Sequence, residues 1–155
     1  MTPVVVDLGC LSRNGADSLA ALAEEYRPER IYGFDPSPEL NETCVEHAGV
    51  PVTLRQSAAW TRDGTVAFVE QGSSSRIARG GAEVPCFDFS AWLKLLKQTR
   101  PNVVVKMDIE GAEVPVLQHM IREGTHELVD ELLVEWHGSG EHLESYFPNV
   151  RRWWL

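Results

Sequence analysis

The chain has 155 residues, 43% of them hydrophobic and 24% charged, with a formal net charge of -9. That length suits one domain (residues 1–155) with a core of its own, and no apolar run approaches the roughly 18 residues that a membrane-spanning helix needs. The acidic balance argues against a nucleic-acid backbone as partner, because such binding depends on basic side chains displacing counterions.

Taken in chain order, the β-branched run Pro3–Leu8 predicts a strand covered on both faces. Leu19, Leu22, Ala23 and Tyr26 follow at helical spacing, giving an amphipathic helix over about 15–26. Arg30–Asp35 reads as a second strand. Ser37 is a suitable N-cap and Pro38 a suitable first helical residue, so a helix is expected through about Ala48. Val50–Gln56 is a third strand, and the Asp63-Gly64 turn leads into Thr65–Glu70, a strand expected to pair antiparallel. Gln71–Gly81 reads as a loop, Val84–Phe87 as a strand and about 89–98 as a helix carrying Trp92, Leu93 and Leu96. Asn102–Met107 is the next strand, followed by a helix with Val114, Leu117 and Ile121 on one face and Gly124 ending it. Leu132–Trp136, a short helix near 141–146 and a last strand at 149–154 complete the order. Strands alternating with helices predict an α/β fold with a mostly parallel, doubly wound sheet, the middle hairpin decorating an edge.

The turn Asp7-Leu8-Gly9, with Gly15 opening the first helix, marks the nucleotide end. A dinucleotide fingerprint fails there, because Leu11 and Asn14 stand where its second and third glycines belong, and no Lys-Ser/Thr follows Gly15 as a P-loop requires. This counts against a nicotinamide-dependent enzyme. Asp7 would repel a pyrophosphate and favour a cationic ligand such as S-adenosylmethionine, which carries a sulfonium and an amine and no phosphate. Asp35, ending the second strand 20 residues after Gly15, is placed to accept hydrogen bonds from ribose hydroxyls.

The densest chemistry lies in Lys106-Met107-Asp108-Ile109-Glu110-Gly111-Ala112-Glu113, where a strand gives way to a helix. If the strand continues, Asp108 and Glu110 share a face, as do Glu135 and His137 at the end of the neighbouring strand. The four are candidates for the reaction site, with Glu110 or His137 as base and Asp108 and Glu135 as hydrogen-bonding partners. Glu113 reads as charge complementing the helix N-terminus. Lys106 reads equally as a substrate contact and as an ion-pair partner of Glu135. Carboxylates with one histidine also suit a divalent cation, but the spacing is not diagnostic and no metal is expected. Gly72-Ser73-Ser74-Ser75-Arg76 is the candidate substrate loop, with Ser74, Ser75, Arg76 and Lys106 as acceptor contacts. His47, His119, His126 and His142 show no partner pattern. The terminal Trp153 and Trp154 would cover the core or form an association surface between copies of the chain.

Asp7-Leu8-Gly9, Gly33-Phe34-Asp35-Pro36, the 106–113 run and Val134-Glu135-Trp136-His137 together resemble the FkbM-type S-adenosylmethionine-dependent methyltransferases, in order and over almost the whole chain. The resemblance implies a Rossmann-like class I methyltransferase fold, S-adenosylmethionine as methyl donor and O-methylation of a small-molecule or glycan hydroxyl. By position, Asp7, Gly9 and Gly15 would line the cofactor's methionine half, Asp35 its ribose, Ala58 and Ala59 its adenine, and Asp108 its methionine end. Two departures stand out. The family's first loop usually reads G-A-N-x-G, whereas five residues separate Gly9 from Gly15 here. At most one strand can follow Trp136, so the sheet is expected to be shortened at the C-terminus, which keeps open a non-catalytic binding or scaffold module. Three widely spaced cysteines, in no metal-ligand pattern, and an N-terminus without a basic leader point to a reducing, cytoplasmic setting.

Overall fold

The computed structural model describes residues 2–11, 17–69 and 75–154. Strand β1 (Val4–Leu8) is buried along its whole length. Helix α1 (Ser18–Tyr26) starts where the Asp17 side chain accepts a hydrogen bond from the Ala20 amide, and it ends at Arg27 in the left-handed region, φ 43°. Then come β2 (Arg30–Asp35), the short β3 (Glu46–His47) and β4 (Val50–Gln56). Four strands follow: β5 (Ala58–Trp60), β6 (Gly64–Val69), β7 (Arg76–Ile77) and β8 (Ala82–Asp88). Helix α2 (Phe89–Lys97), capped by Asp88, leads to β9 (Val103–Met107), and α3 (Glu113–Glu123) to β10 (Glu131–Val134) and β11 (Val150–Arg152).

The larger sheet has the order β11-β10-β9-β1-β2-β4-β3. It is mixed: β3 runs antiparallel to β4, and the other neighbours pair parallel. The strands alternate their side chains between two cores, as the period of two requires. Val5, Ile31, Val104 and Leu133 pack with Leu19, Leu22 and Ala23 of α1. Val4, Val6, Leu8, Val105 and Met107 pack with Phe89 and Leu93 of α2 and Val116, Leu117 and Met120 of α3. A second sheet, β5-β8-β6-β7, closes over a small core of Ala58, Val66, Phe68, Val84 and Cys86. The expected antiparallel pairing of the middle hairpin is present, β6 against β8. No helix among the described residues is long and apolar enough to cross a membrane.

The structure corrects several expected elements. No helix forms between Ser37 and Ala48, where turns lead into β3. The local polar side chains satisfy the backbone in another way: Ser37 Oγ accepts from the Glu39 amide at 3.2 Å, and Asn41 Oδ1 from the Thr43 amide at 3.1 Å. Such turns compete directly with helix formation. Two short strands, β5 and β7, arise where no strand was expected, because β8 and β6 offer them an edge. The short helix expected near 141–146 is present, as a 3-10 helix over Glu141–Tyr146. On α3 the deeply buried face is Val116, Leu117 and Met120, with Val114 and Ile121 at its margins.

Candidate active site

Two neighbouring strands of the larger sheet bring opposite charges together inside the protein. Asp7 of β1 lies directly opposite Lys106 of β9. Both side chains face α1, on the side of Val5 and Val104. The Lys106 ammonium sits 2.9 Å from Asp7 Oδ1 and donates to the Gly9 carbonyl at 2.8 Å. Asp7 Oδ2 accepts from the Ser18 hydroxyl at 2.7 Å. The pair is 1% and 0% exposed. Burial pulls the lysine pKa down, but Asp7 and Asp108 outweigh it, and the net shift is upward. Lys106 therefore pairs with Asp7 and not with Glu135, and its ammonium, expected as an acceptor contact, is enclosed. It reaches the strand on its other side because in-register neighbours on one face stand within side-chain reach.

Strand β9 stops at Met107 rather than continuing through Glu110. The Asp108 amide still donates to Leu8 of β1 at 3.0 Å. Glu110 then adopts φ 50° and Gly111 φ 97°, turning the chain into α3. A non-glycine residue with positive φ is uncommon and costly. Gly9, φ 83°, sits so close to this turn that a Cβ on it would lie 1.9 Å from the Asp108 carbonyl oxygen. Here only glycine fits.

The turn carries its carboxylates to the end of β10, where they meet one imidazole. Glu113 Oε1 lies 2.7 Å from His137 Nδ1 and accepts from the His137 amide at 3.0 Å, while Glu113 Oε2 accepts from the Gly111 amide at 2.9 Å. His137 Nε2 faces Glu110 at 3.3 Å, Asp108 at 3.5 Å and Glu135 at 3.8 Å. All four candidates for the reaction site converge here, through chain turns rather than strand alternation. Glu113, expected to serve the helix alone, is the fifth member.

The electrostatics follow from that crowding. The hydrogen bond that Glu113 accepts from the ring raises His137 to about 9, opposed by burial and aided by the charges of Glu113, Glu110 and Asp108. Burial pushes Asp108 up to about 7; Lys106 opposes the shift, and neighbouring Glu135 adds to it. Burial also raises Glu110. At neutral pH the ring is an imidazolium, and Asp108 and Glu110 are the carboxyls with the most appetite for a proton. Asp108 Oδ1 is buried and makes no hydrogen bond of ordinary geometry. Atoms of Asp108, Glu110 and His137 lie within 4.8 Å of one another. A divalent cation there would have to displace the Nε2 proton.

The remaining expected residues are more dispersed. Asp35 stands at the end of β2, with its oxygens accepting from the Leu11 amide at 3.1 Å and the Ser37 amide at 2.9 Å. Ala58 and Ala59 are buried in β5, which follows β4 after Ser57, whose amide donates to the Asp35 carbonyl at 3.1 Å. Ser75 is buried and Arg76 exposed at the start of β7. Gly15 and Ser74 lie outside the described residues. His119 and His47, without a partner pattern in sequence, pair with Asp88 at 3.1 Å and Asp17 at 2.8 Å. Trp153 packs into the core beside α1, and Trp154 is exposed.

A family model described as "Methyltransferase FkbM domain" matches residues 13–155. The chain belongs to this methyltransferase family. Searches of curated proteins and of solved structures gave no match.

Proposed function

We propose that this FkbM-family chain transfers a methyl group from S-adenosylmethionine to a hydroxyl of a small molecule or glycan. We read its sheet as Rossmann-like and doubly wound, a reading supported by the parallel β10-β9-β1-β2-β4 block with helices packed on both sides. The observation that carries the proposal is the convergence of His137 with Asp108, Glu110 and Glu135. It lies at the carboxyl ends of β9 and β10, beside the place where chain connections leave β1 toward one side and β9 toward the other. Ligands of open α/β sheets bind in the crevice at such a switch point.

The residues suit the cofactor. Asp108 presents a buried oxygen without a hydrogen bond, and the acidic side chains around it outnumber His137, which favours a sulfonium and an ammonium over a phosphate. Gly9 and Asp108 would hold the methionine half, Asp35 the ribose, and Ala58 and Ala59 the adenine end. Asp7 would act indirectly, by fixing Gly9 through Lys106. Ser75 and Arg76 would flank the acceptor. When bound, S-adenosylmethionine supplies an electrophilic methyl group.

The protein's part is to orient the acceptor and to receive its proton. A base works best when its pKa lies near the working pH, and Asp108, at about 7, meets that condition beside Glu110. His137 enters as the cation that holds the carboxylates together, and it becomes a base once its own proton is lost. Titration calorimetry with S-adenosylmethionine, its demethylated product and NAD tests the reading. Binding of the first two and not of NAD is expected. A chain that binds neither at millimolar concentration would overturn it.

A further inference from the structure

The buried carboxylate of Glu113 divides its two oxygens between two tasks. Oε2 reaches back to the Gly111 amide at 2.9 Å and secures the entry to α3. That is the helix-end role expected of an acidic residue in a first turn. Oε1 serves no helix: it accepts from the His137 amide at 3.0 Å and lies 2.7 Å from the ring nitrogen Nδ1. One oxygen thus grips both the backbone and the ring of the same histidine, on a different strand end. At 1% exposure Glu113 cannot trade these partners for water.

From this geometry we infer that Glu113 is the positioning residue of His137. It fixes the imidazole with its proton on Nδ1, so that Nε2 is the atom at which protons arrive and leave among Asp108, Glu110 and Glu135. The inference deepens the methyl-transfer reading and rests on it for the use to which Nε2 is put. The physical basis is the rule that the ring nitrogen carrying the proton is chosen by the bond the other nitrogen makes. A carboxylate accepts and never donates when ionised, so Glu113 stabilises a proton on Nδ1 in both charge states of the ring. A flipped ring would place the carbon Cδ2 against Glu113 and withdraw Nε2 from the three carboxylates on the far side. That movement would break the Nδ1 contact to Oε1, an oxygen that the hydrogen bond from the His137 amide keeps beside the ring.

The test needs no acceptor molecule. Nitrogen NMR of the full chain with labelled histidine reports which ring nitrogen keeps its proton after the imidazolium deprotonates. His137→Gln identifies the resonance by its disappearance. In the unsubstituted chain the neutral ring should be protonated on Nδ1. Glu113→Gln retains an oxygen acceptor and should keep that tautomer. Glu113→Leu offers none and should release the proton to Nε2. An unsubstituted chain whose neutral His137 is protonated on Nε2 overturns the inference, whether or not either variant folds. The methyl-transfer reading is judged separately by the calorimetry above, so failure of one is distinguishable from failure of the other.

Discussion

Replacing Lys106 with methionine should destabilise the protein severely, and the structure supplies the magnitude. Lys106→Met keeps the length of the side chain and removes its charge. Asp7 would then remain at 0% exposure with only the Ser18 hydroxyl as a partner, and the Gly9 carbonyl would lose its donor. At the observed 2.9 Å separation the direct attraction is about 6 kcal/mol with an effective dielectric of about 20. Loss of one partner from a buried pair costs about 3–5 kcal/mol, because the surviving charge is uncompensated. Asp7→Asn should cost a similar amount. Much of this should return in the double variant, since asparagine keeps an oxygen for Ser18 and no charge is left stranded. Urea unfolding of the four proteins gives a double-mutant cycle with an expected coupling of about 2–4 kcal/mol. Additivity within about 0.5 kcal/mol would refute the claim that the two charges depend on each other.

Stability should also depend on pH through His137. Its folded value, about 9, lies above the ordinary 6.5, so its contribution is full below about 6.5 and is lost as pH rises through 9. Allowing for partial exposure and titrating neighbours, thermal and urea unfolding between pH 6 and 9.5 should show a loss of about 1–3 kcal/mol, and His137→Gln should flatten the slope. A rising or flat profile in the parent chain would contradict this. Gly9→Ala combines a disfavoured φ of 83° with a Cβ 1.9 Å from the Asp108 oxygen, and should cost about 2–5 kcal/mol in denaturant unfolding; a loss under 0.5 kcal/mol would exclude so tight a contact. Asp35→Ala removes acceptors for the Leu11 and Ser37 amides. It should weaken S-adenosylmethionine binding by about 1–3 kcal/mol in calorimetry, and unchanged affinity would remove Asp35 from the ribose site.

The elements most legible in the sequence were those whose pattern is fixed by burial on both faces. The runs at Val4–Leu8 and Val103–Met107 are strands because β-branched side chains pack well on a pleated surface, and β2 and β4 have the bounds their patterns suggested. Where polar side chains decide, as between Ser37 and Ala48, caps and turns share the same residues, and the sequence does not say which will win. The candidate cluster of Asp108, Glu110, Glu135 and His137 was legible as a set of residues but not as a geometry. His137 and Asp108 are brought together by the adjacency of β9 and β10, which local pattern does not encode. The partner of Lys106 likewise depended on which side of β9 holds β1. The signal that could have revealed Glu113 is its place in the first turn after β9, one turn from the strand end that faces β10.

The contact between Gly9 and Asp108 makes two loops into a single mechanical part. The carbonyl of Gly9 is held by Lys106, its amide donates to Phe34, and its Cα rests against the Asp108 carbonyl. The Asp108 amide is tied in turn to Leu8. A molecule that presses on Gly9 would therefore press on the peptide that carries Asp108. The two chain segments meet across a gap too small for a methyl group.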